Sequence, residues 1–178
     1  MIRYLRKAAR RVAERIASSS YDAIVMSGPA TDVSQRLLSY GWSRQTLEMP
    51  PICDLGKQGD LVLWRDFERY PSLEVRLGAV DSYFSERYPS ILEARRLLFL
   101  DDHAYWGDKM DYLAHTLPRT KLPPTDLAVF VAPRTLKRMP LYVGVYDDAL
   151  AIYFRSLQDP RVRSFTGGLN LVELMEAR

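Results

Sequence analysis

The chain has 178 residues, of which 47% are hydrophobic and 26% are charged, and its formal net charge is +3. These values are ordinary for a globular domain, and no apolar run approaches the roughly 20 residues that a membrane-spanning helix needs. The only cysteine, Cys53, excludes an internal disulfide, so nothing points to secretion. We therefore expect a single soluble, cytoplasmic domain over residues 1–178, with no membrane partner.

The first predicted element is an amphipathic helix over residues 1–18. Its apolar positions recur at helical spacing and are Ile2, Leu5, Ala9, Val12 and Ile16. Its outer face is strongly basic and carries Arg3, Arg6, Lys7, Arg10, Arg11 and Arg15. A basic face of this kind is usually just solvated, and association with nucleic acid is the alternative that stays open.

A short buried strand and a helix are predicted next. Residues 23–26 form an apolar run that breaks at Gly28, as a buried strand does before a turn. The following helix should begin at Asp32 and end at Gly41, because these residue types favour helix N- and C-termini respectively.

The middle of the chain is predicted to contain a loop, a strand and two helices. Residues 43–60 are punctuated by Pro and Gly and read as a loop, and residues 61–67 read as a strand. A helix is expected within residues 71–89, which begin and end with proline. Ser90 and Glu93 have the spacing of a capping box, which predicts a further short helix.

Two adjacent acids follow an apolar run in the sequence LLFLDD. The run, residues 97–100, predicts a buried strand, and a core does not accommodate Asp101 and Asp102 without partners. We therefore expect both acids to emerge where this strand ends. From these residues alone they either terminate a strand or mark a site, and residues 110–117 then resume helical spacing.

The last third of the chain is predicted to hold three strands and a helix. The strands are expected at residues 126–133, 141–146 and 150–154, and a short helix should follow Gly167. The alternation of strands and helices indicates an α/β fold with a mostly parallel sheet flanked by helices. Ligands of such sheets bind at the carboxyl ends of the strands, beside helix N-termini. Two predicted turns meet this description, one at Ser27 and Gly28 and the other at residues 101–109.

The second turn resembles the phosphoribosyltransferase signature, in which four apolar residues, two acids and a glycine-containing loop precede a helix. The resemblance implies a type I phosphoribosyltransferase-like core over residues 22–155 that binds phosphoribosyl pyrophosphate with Mg²⁺. Asp101 and Asp102 would be the catalytic acids and would lie near the ribose hydroxyls and the metal. The resemblance also implies that the 5-phosphate lies against Gly107, Asp108 and Lys109, and the pyrophosphate against Ser27 and Gly28.

A third stretch, PLYVG at residues 140–144, is similar to the purine-base segment of the 6-oxopurine members of that family. The similarity implies a nucleobase, with purine favoured, and hence a role in purine salvage. Tyr142 would stack on the base and the main chain of Val143 would read its edge. Lys137 would reach the exocyclic oxygen, and Asp148 would lie beside the base.

The loop departs from the family pattern in ways that bear on function. Trp106 and Lys109 stand around Gly107 where the family carries hydroxyl residues, and Tyr105 stands where the 6-oxopurine enzymes carry a further aspartate. Two hypotheses therefore stand: a phosphoribosyltransferase, or a non-catalytic nucleotide-sensing or interaction module of the same fold. A homodimer is a further expectation. Of the two histidines, His103 is the better site candidate, since it is adjacent to the acids.

Overall fold

The computed structural model describes residues 2–28, 31–65 and 70–157. Its centre is a parallel sheet with strand order β2-β1-β3-β4-β5, in which each described pairing is parallel. The strands are β1 (Ala23–Met26), β2 (Ile52–Asp54), β3 (Leu97–His103), β4 (Thr125–Ala132) and β5 (Tyr142–Tyr146). The predicted α/β class with a parallel sheet is confirmed.

Helices cover both faces of the sheet. They are α1 (Ile2–Ala17), α2 (Thr31–Trp42), α3 (Gly56–Asp60), α4 (Leu73–Arg87), α5 (Pro89–Leu92), α6 (Asp108–Thr116) and α7 (Asp148–Leu157). A π-helix (Leu61–Arg65) continues α3, and short 3₁₀ turns cover Leu117–Arg119 and Arg134–Leu136. Residues of α1, α2 and α7 share a buried cluster on one face, and those of α4 and α6 share another on the opposite face. No helix in the described part of the chain is long and apolar enough to cross a membrane.

Helix α1 is amphipathic, as predicted, and packs closely on α2. Ala8, Ala9 and Ala13 are fully buried, and these small side chains let the two helices approach. The approach is closest at Gly41, where an added Cβ would lie 2.2 Å from the carbonyl oxygen of Ala9. The basic face of α1 points away from this contact and is largely exposed.

Strand β3 is longer than expected and contains the two acids. It continues past Leu100 to His103, because Asp101 and His103 remain paired with Val129 and Val131 of β4. Asp102 is only 2% exposed, so the expectation that both acids leave the core was wrong. The strand accommodates them because each carboxylate has specific hydrogen-bond partners, which are described below.

The segment before the second half of the sheet was predicted incorrectly in two places. Residues 43–60 include β2 and α3 rather than only a loop, because Ile52 and Cys53 pair with β1 over a stretch too short to show a pattern. Residues 61–65 form the π-helix rather than a strand, and residues 66 and 67 lie outside the described part.

A buried arginine explains why the π-helix forms at this place. The guanidinium of Arg76 in α4 donates to the carbonyl oxygens of Leu63 and Trp64, each at 3.0 Å. These long-range bonds satisfy carbonyl groups in the wide turn, where helix hydrogen bonding differs from the α pattern. The partner lies in the next helix, 12 and 13 residues further along the chain, so the propensity of residues 61–65 alone predicts the wrong element here.

The C-terminal predictions had mixed outcomes. Residues 150–154 lie in helix α7 rather than in a strand, because Leu150 and Phe154 are buried while Ile152 is 56% exposed. The carboxylate of Asp147 accepts from the backbone N–H of Leu150 at 2.9 Å, which favours the helical start. The helix expected after Gly167 lies outside the described residues.

The short helix expected from Ser90 and Glu93 is present as α5, but the capping box is not. Tyr88 is its N-cap residue and Pro89 is its first residue, so Ser90 lies inside the helix. Proline suits this first position because its missing N–H would have had no helical partner.

Candidate functional site

A pocket at the carboxyl end of the sheet brings the two predicted turns together. Ser27 and Gly28 line it from the end of β1, and residues 101 and 103–110 line it from the end of β3, the following loop and α6. Asp60 of α3 and Trp64 of the π-helix complete its wall. We call this cleft the β1–β3 pocket.

A buried ion cluster forms one wall of the β1–β3 pocket. The ammonium of Lys109, in the first turn of α6, donates to Asp60 Oδ1 and to Asp101 Oδ2, each at 2.7 Å. The exposed side-chain fractions are 20% for Lys109, 4% for Asp60 and 13% for Asp101. The ammonium also lies 5.6 Å from the centre of the Phe99 ring, within the range of a cation–π contact.

Charge and burial oppose each other in this ion cluster. Burial alone would lower the pKa of Lys109, but the carboxylates of Asp101 and Asp60 outweigh it and raise that pKa above its ordinary value. Burial raises the pKa of Asp101, with Lys109 opposing the change. Lys109 is therefore protonated at neutral pH and serves as the counter-ion of both acids.

Asp102 is bound to a histidine and does not line the β1–β3 pocket. Its carboxyl group also shares a side-chain hydrogen bond with that of Asp101. Its Oδ1 accepts from the backbone N–H of His103 at 2.9 Å and lies 3.0 Å from that residue's Nδ1. The imidazole also stacks on Phe154 of α7, with ring centres 5.8 Å apart. Of Asp102 and His103, only His103 lines the pocket.

The Asp102–His103 pair has shifted pKa values with a common cause. Burial would raise the pKa of Asp102, yet the neighbouring imidazolium outweighs it and lowers that pKa. Burial would lower the pKa of His103, but the Asp102 carboxylate outweighs it and raises that pKa. The pair is an internal salt bridge when the histidine is protonated.

The turn after β1 offers an unusual polar group to the pocket. Ser27 is only 3% exposed, and its Oγ has no hydrogen-bond partner among the described residues. Gly28 follows with φ +113°, a conformation that favours glycine, and its N–H donates to the carbonyl of Gly56. A Cβ at Gly28 would lie 3.6 Å from Asp60 Oδ1, so this backbone borders the ion cluster. A buried hydroxyl without a partner destabilises the folded state, and a hydrogen bond to a ligand would remove this penalty.

The loop between β3 and α6 turns at Gly107. This residue is the N-cap of α6 with φ +85°, and a Cβ there would lie 2.7 Å from Met139 Sδ. Asp108 is the exposed first residue of α6, and Asp111 adds a second acid to the first turn. These acids already complement the positive end of the helix dipole, so an anion here must compete with them.

Aromatic residues form the rim of the β1–β3 pocket. Trp106 is 65% exposed, and its ring meets the Tyr105 ring edge-on with centres 4.6 Å apart. The guanidinium of Arg155 lies 4.5 Å from the Tyr105 ring centre and 5.1 Å from that of Trp106. Trp64 lines the wall, and its ring centre lies 5.4 Å from that of Tyr112. The rim thus offers flat surfaces to a planar ligand.

The residues predicted to bind the base lie elsewhere. Tyr142 is the first residue of β5, and its hydroxyl donates to the carbonyl of Arg11 in α1 at 2.9 Å. Tyr142 lines a different cleft, together with Arg15 and Tyr21. Val143, the next residue, is not part of the β1–β3 pocket lining either.

The remaining candidates are also outside the β1–β3 pocket. The Lys137 ammonium lies 5.8 Å from the Tyr146 ring centre. Asp148 accepts from the backbone N–H of Arg134 at 2.9 Å at the start of α7. The base-contacting roles of Lys137, Tyr142, Val143 and Asp148 therefore stay predictions that the pocket geometry does not support.

Sequence reasoning missed Asp60 and Trp64. Both lie in residues predicted as a loop or as a strand, and their approach to the pocket depends on α3 and the π-helix. Asp60 is a single acid before an apolar run, and nothing in the neighbouring sequence indicates that its partner Lys109 lies 49 residues away.

The arrangement does not fit a Mg²⁺ ion shared by Asp101 and Asp102. Asp101 accepts from Lys109 through one oxygen and from the backbone N–H of Asp102 through the other, while Asp102 binds His103. Within the described ranges, no group of three or more potential ligands from His, Cys, Asp and Glu could hold a metal. The residues present therefore do not fit the magnesium site that the resemblance implies.

No protein-family model and no curated protein matches this chain. Similar solved structures include a hypoxanthine phosphoribosyltransferase from Staphylococcus aureus, at 9% identity and TM-score 0.44 over 81% of this chain and 73% of that one. The hypoxanthine phosphoribosyltransferase from Trypanosoma cruzi, solved with the product IMP, has 15% identity and TM-score 0.45 over 82% and 77%. The likeness at these identities is one of fold alone.

Proposed function

We propose that the protein binds a phosphoribosyl ligand, a nucleotide or phosphoribosyl pyrophosphate, in the β1–β3 pocket. The observation that carries this proposal is the hydroxyl of Ser27, which is buried at the pocket without a described partner. It lies at the carboxyl end of a parallel strand, where ligands of such sheets bind. A ligand oxygen or N–H at this place would complete its hydrogen bonding.

The polar groups of the pocket suit a phosphorylated sugar. Sugar hydroxyls donate hydrogen bonds, and the carboxylates of Asp60 and Asp101 accept them. A phosphate accepts hydrogen bonds, and Lys109 together with the backbone N–H groups that follow Gly107 at the start of α6 can donate to it. The pocket thus contains hydrogen-bond donors and acceptors close together. A purely anionic ligand would use only the donors, and a purely apolar ligand would use neither.

The aromatic rim is the surface that we assign to a nucleobase. Trp64, Tyr105 and Trp106 all line the β1–β3 pocket, so a base attached to a sugar there would lie within reach of a flat ring. The purine preference comes from the sequence resemblance and belongs to this proposal. In this assignment Tyr142 does not contact the base.

Phosphoribosyl transfer is the second candidate, and it is the reaction that the resemblance implies. It would require a group that stabilises positive charge at the anomeric carbon, and Asp101 is the carboxylate in the pocket. The geometry favours binding over turnover, because Asp101 is already neutralised by Lys109 and Asp102 is bound to His103. A chromatographic assay for base release from IMP with pyrophosphate separates the two candidates.

Calorimetry of IMP on the wild-type chain and on Ser27→Ala tests the proposed site. Loss of one hydrogen bond should weaken binding by about 0.5–1.5 kcal/mol. Ser39→Ala is the matched control, because Ser39 is an exposed serine on α2. Equal affinity of all three proteins for IMP would remove Ser27 from the site.

The exposed face of α1 supports a separate association with nucleic acid. Arg3, Lys7, Arg11 and Arg15 are exposed on it, and Tyr4, at 48% exposure, adds an aromatic ring. Basic side chains with an aromatic platform suit single-stranded nucleic acid. Fluorescence anisotropy with a labelled oligonucleotide should then show affinity that falls steeply as salt rises. No binding at low salt would exclude this function.

A further inference from the structure

The ion cluster places a single cation between two carboxylates. Asp60 Oδ1 and Asp101 Oδ2 each lie 2.7 Å from Lys109 Nζ, so the two oxygens can be no more than about 5.4 Å apart. Mg²⁺ binds carboxylate oxygen at about 2.0–2.1 Å, so these oxygens would have to move to within about 4.2 Å of each other to share one Mg²⁺ ion. The Lys109 ammonium therefore occupies the position between the two acids that a bridging metal ion would take.

We propose that Lys109 is the built-in cation of the β1–β3 pocket and that its ammonium takes the place of a divalent metal. Ligand binding in the pocket is then independent of Mg²⁺. The independence of ligand binding from Mg²⁺ rests on the proposed function, whereas the position of the Lys109 ammonium is a property of the protein alone. It differs from the sequence-based expectation, in which Mg²⁺ would lie on the acids.

The surroundings of Lys109 hold the ammonium in this place. The residue follows Gly107 in the first turn of α6, so the helix start fixes where its side chain begins. The ammonium lies 5.6 Å from the Phe99 ring centre, and an added Cβ at Gly28 would lie 3.9 Å from Nζ. Two acids, an aromatic ring and backbone thus contact the ammonium, and moving it away would leave both acids without this counter-ion.

This arrangement also bears on which ligand the pocket prefers. A pyrophosphate group normally arrives with Mg²⁺, and that ion would meet a position already filled by Lys109. A monophosphate carries less charge and needs no accompanying metal. The inference therefore favours a nucleoside monophosphate over phosphoribosyl pyrophosphate as the occupant.

The first arm of the test uses Mn²⁺ alone, without nucleotide. Electron paramagnetic resonance should detect no tightly bound Mn²⁺ in the wild-type chain and one bound ion in Lys109→Met, because the ammonium no longer lies between the Asp60 and Asp101 carboxylates. Saturation at roughly 100 times Kd should raise the Tm of Lys109→Met by about 5–10 °C. The double variant Asp60→Asn/Lys109→Met should lose this ion again. Lys121→Met, at an exposed lysine, should behave like the wild type.

The second arm uses the unmodified chain, so it does not depend on the folding of a variant. The affinity for IMP should be the same in EDTA and in excess Mg²⁺. Tight Mn²⁺ binding by the wild type, no gain of Mn²⁺ binding in folded Lys109→Met, or loss of IMP binding in EDTA would each overturn the inference. If IMP does not bind under either condition, the proposed function fails, and the Mn²⁺ arm still decides the role of Lys109.

Discussion

Replacing Lys109 by methionine should destabilise the protein strongly at neutral pH. The change keeps most of the apolar side chain and removes the ammonium, which leaves Asp60 and Asp101 buried without their counter-ion. Removing one partner of a buried ion pair costs about 3–5 kcal/mol. Because Lys109 is 20% exposed, we expect the lower end, about 3 kcal/mol, which corresponds to a Tm lower by about 6–12 °C.

The loss should shrink as the solution becomes more acidic. Burial already raises the pKa of Asp101, and the variant lacks the Lys109 ammonium that opposes this shift. A carboxyl group with a raised folded-state pKa destabilises the protein above its unfolded pKa and ceases to do so as pH falls toward that value. The gap between wild type and Lys109→Met should therefore be largest near neutrality and narrow toward about pH 4, near the unfolded pKa of an aspartate.

Urea unfolding of wild type, Lys109→Met and the control Lys121→Met at several pH values measures this gap. Lys121 is exposed, so its variant should unfold within about 0.5 kcal/mol of wild type. A loss of unfolding free energy below about 1 kcal/mol in Lys109→Met would contradict this prediction, since exposed ion pairs contribute energies of this size. A loss that does not change with pH would contradict it as well.

Three further predictions test the packing and the chemistry around the sheet. Gly41→Ala should destabilise the protein by about 1–3 kcal/mol or more, because the added Cβ would clash with the backbone of α1. Gly78→Ala, on α4 with nothing near the added Cβ, should stabilise it by about 0.4–1 kcal/mol. Urea unfolding of both variants measures the difference. Cys53 should react with iodoacetamide at pH 8 about 100-fold more slowly than an ordinary thiol, followed by mass spectrometry, because burial raises its pKa to about 11. Tyr142→Phe should lower the stability by about 0.5–1.5 kcal/mol, because it loses the hydrogen bond to the Arg11 carbonyl. Its affinity for IMP, measured by calorimetry, should equal that of the wild type. A selective loss of IMP binding would show that Tyr142 contacts the base.

The sequence allowed the parallel sheet to be predicted because its signals are local. Apolar runs at residues 23–26 and 97–100 need only their own composition to indicate buried strands, and the helix before Gly41 has clear periodicity. The turn at Ser27 and the turn after β3 were placed at one edge of the sheet by a topological rule. The geometry agrees that both line one pocket.

The errors arise where distant residues decide the outcome. The π-helix depends on the guanidinium of Arg76, and α7 depends on burial against a sheet that sequence alone does not display. The pairing of Lys109 with Asp60 joins residues 49 positions apart, so Lys109 was predicted as a phosphate ligand without its counter-ions. Asp101 and Asp102 were predicted to share one role because they are adjacent, but Asp101 pairs with Lys109 and Asp102 with His103.

Calorimetric titration of the wild-type chain with IMP, and with inosine as the same ligand lacking its 5-phosphate, tests the central claim most directly. The account predicts saturable binding of IMP at a single site and clearly weaker binding of inosine, because the pocket binds the phosphorylated sugar as well as the base. Absence of IMP binding, or equal affinity for both compounds, would contradict it.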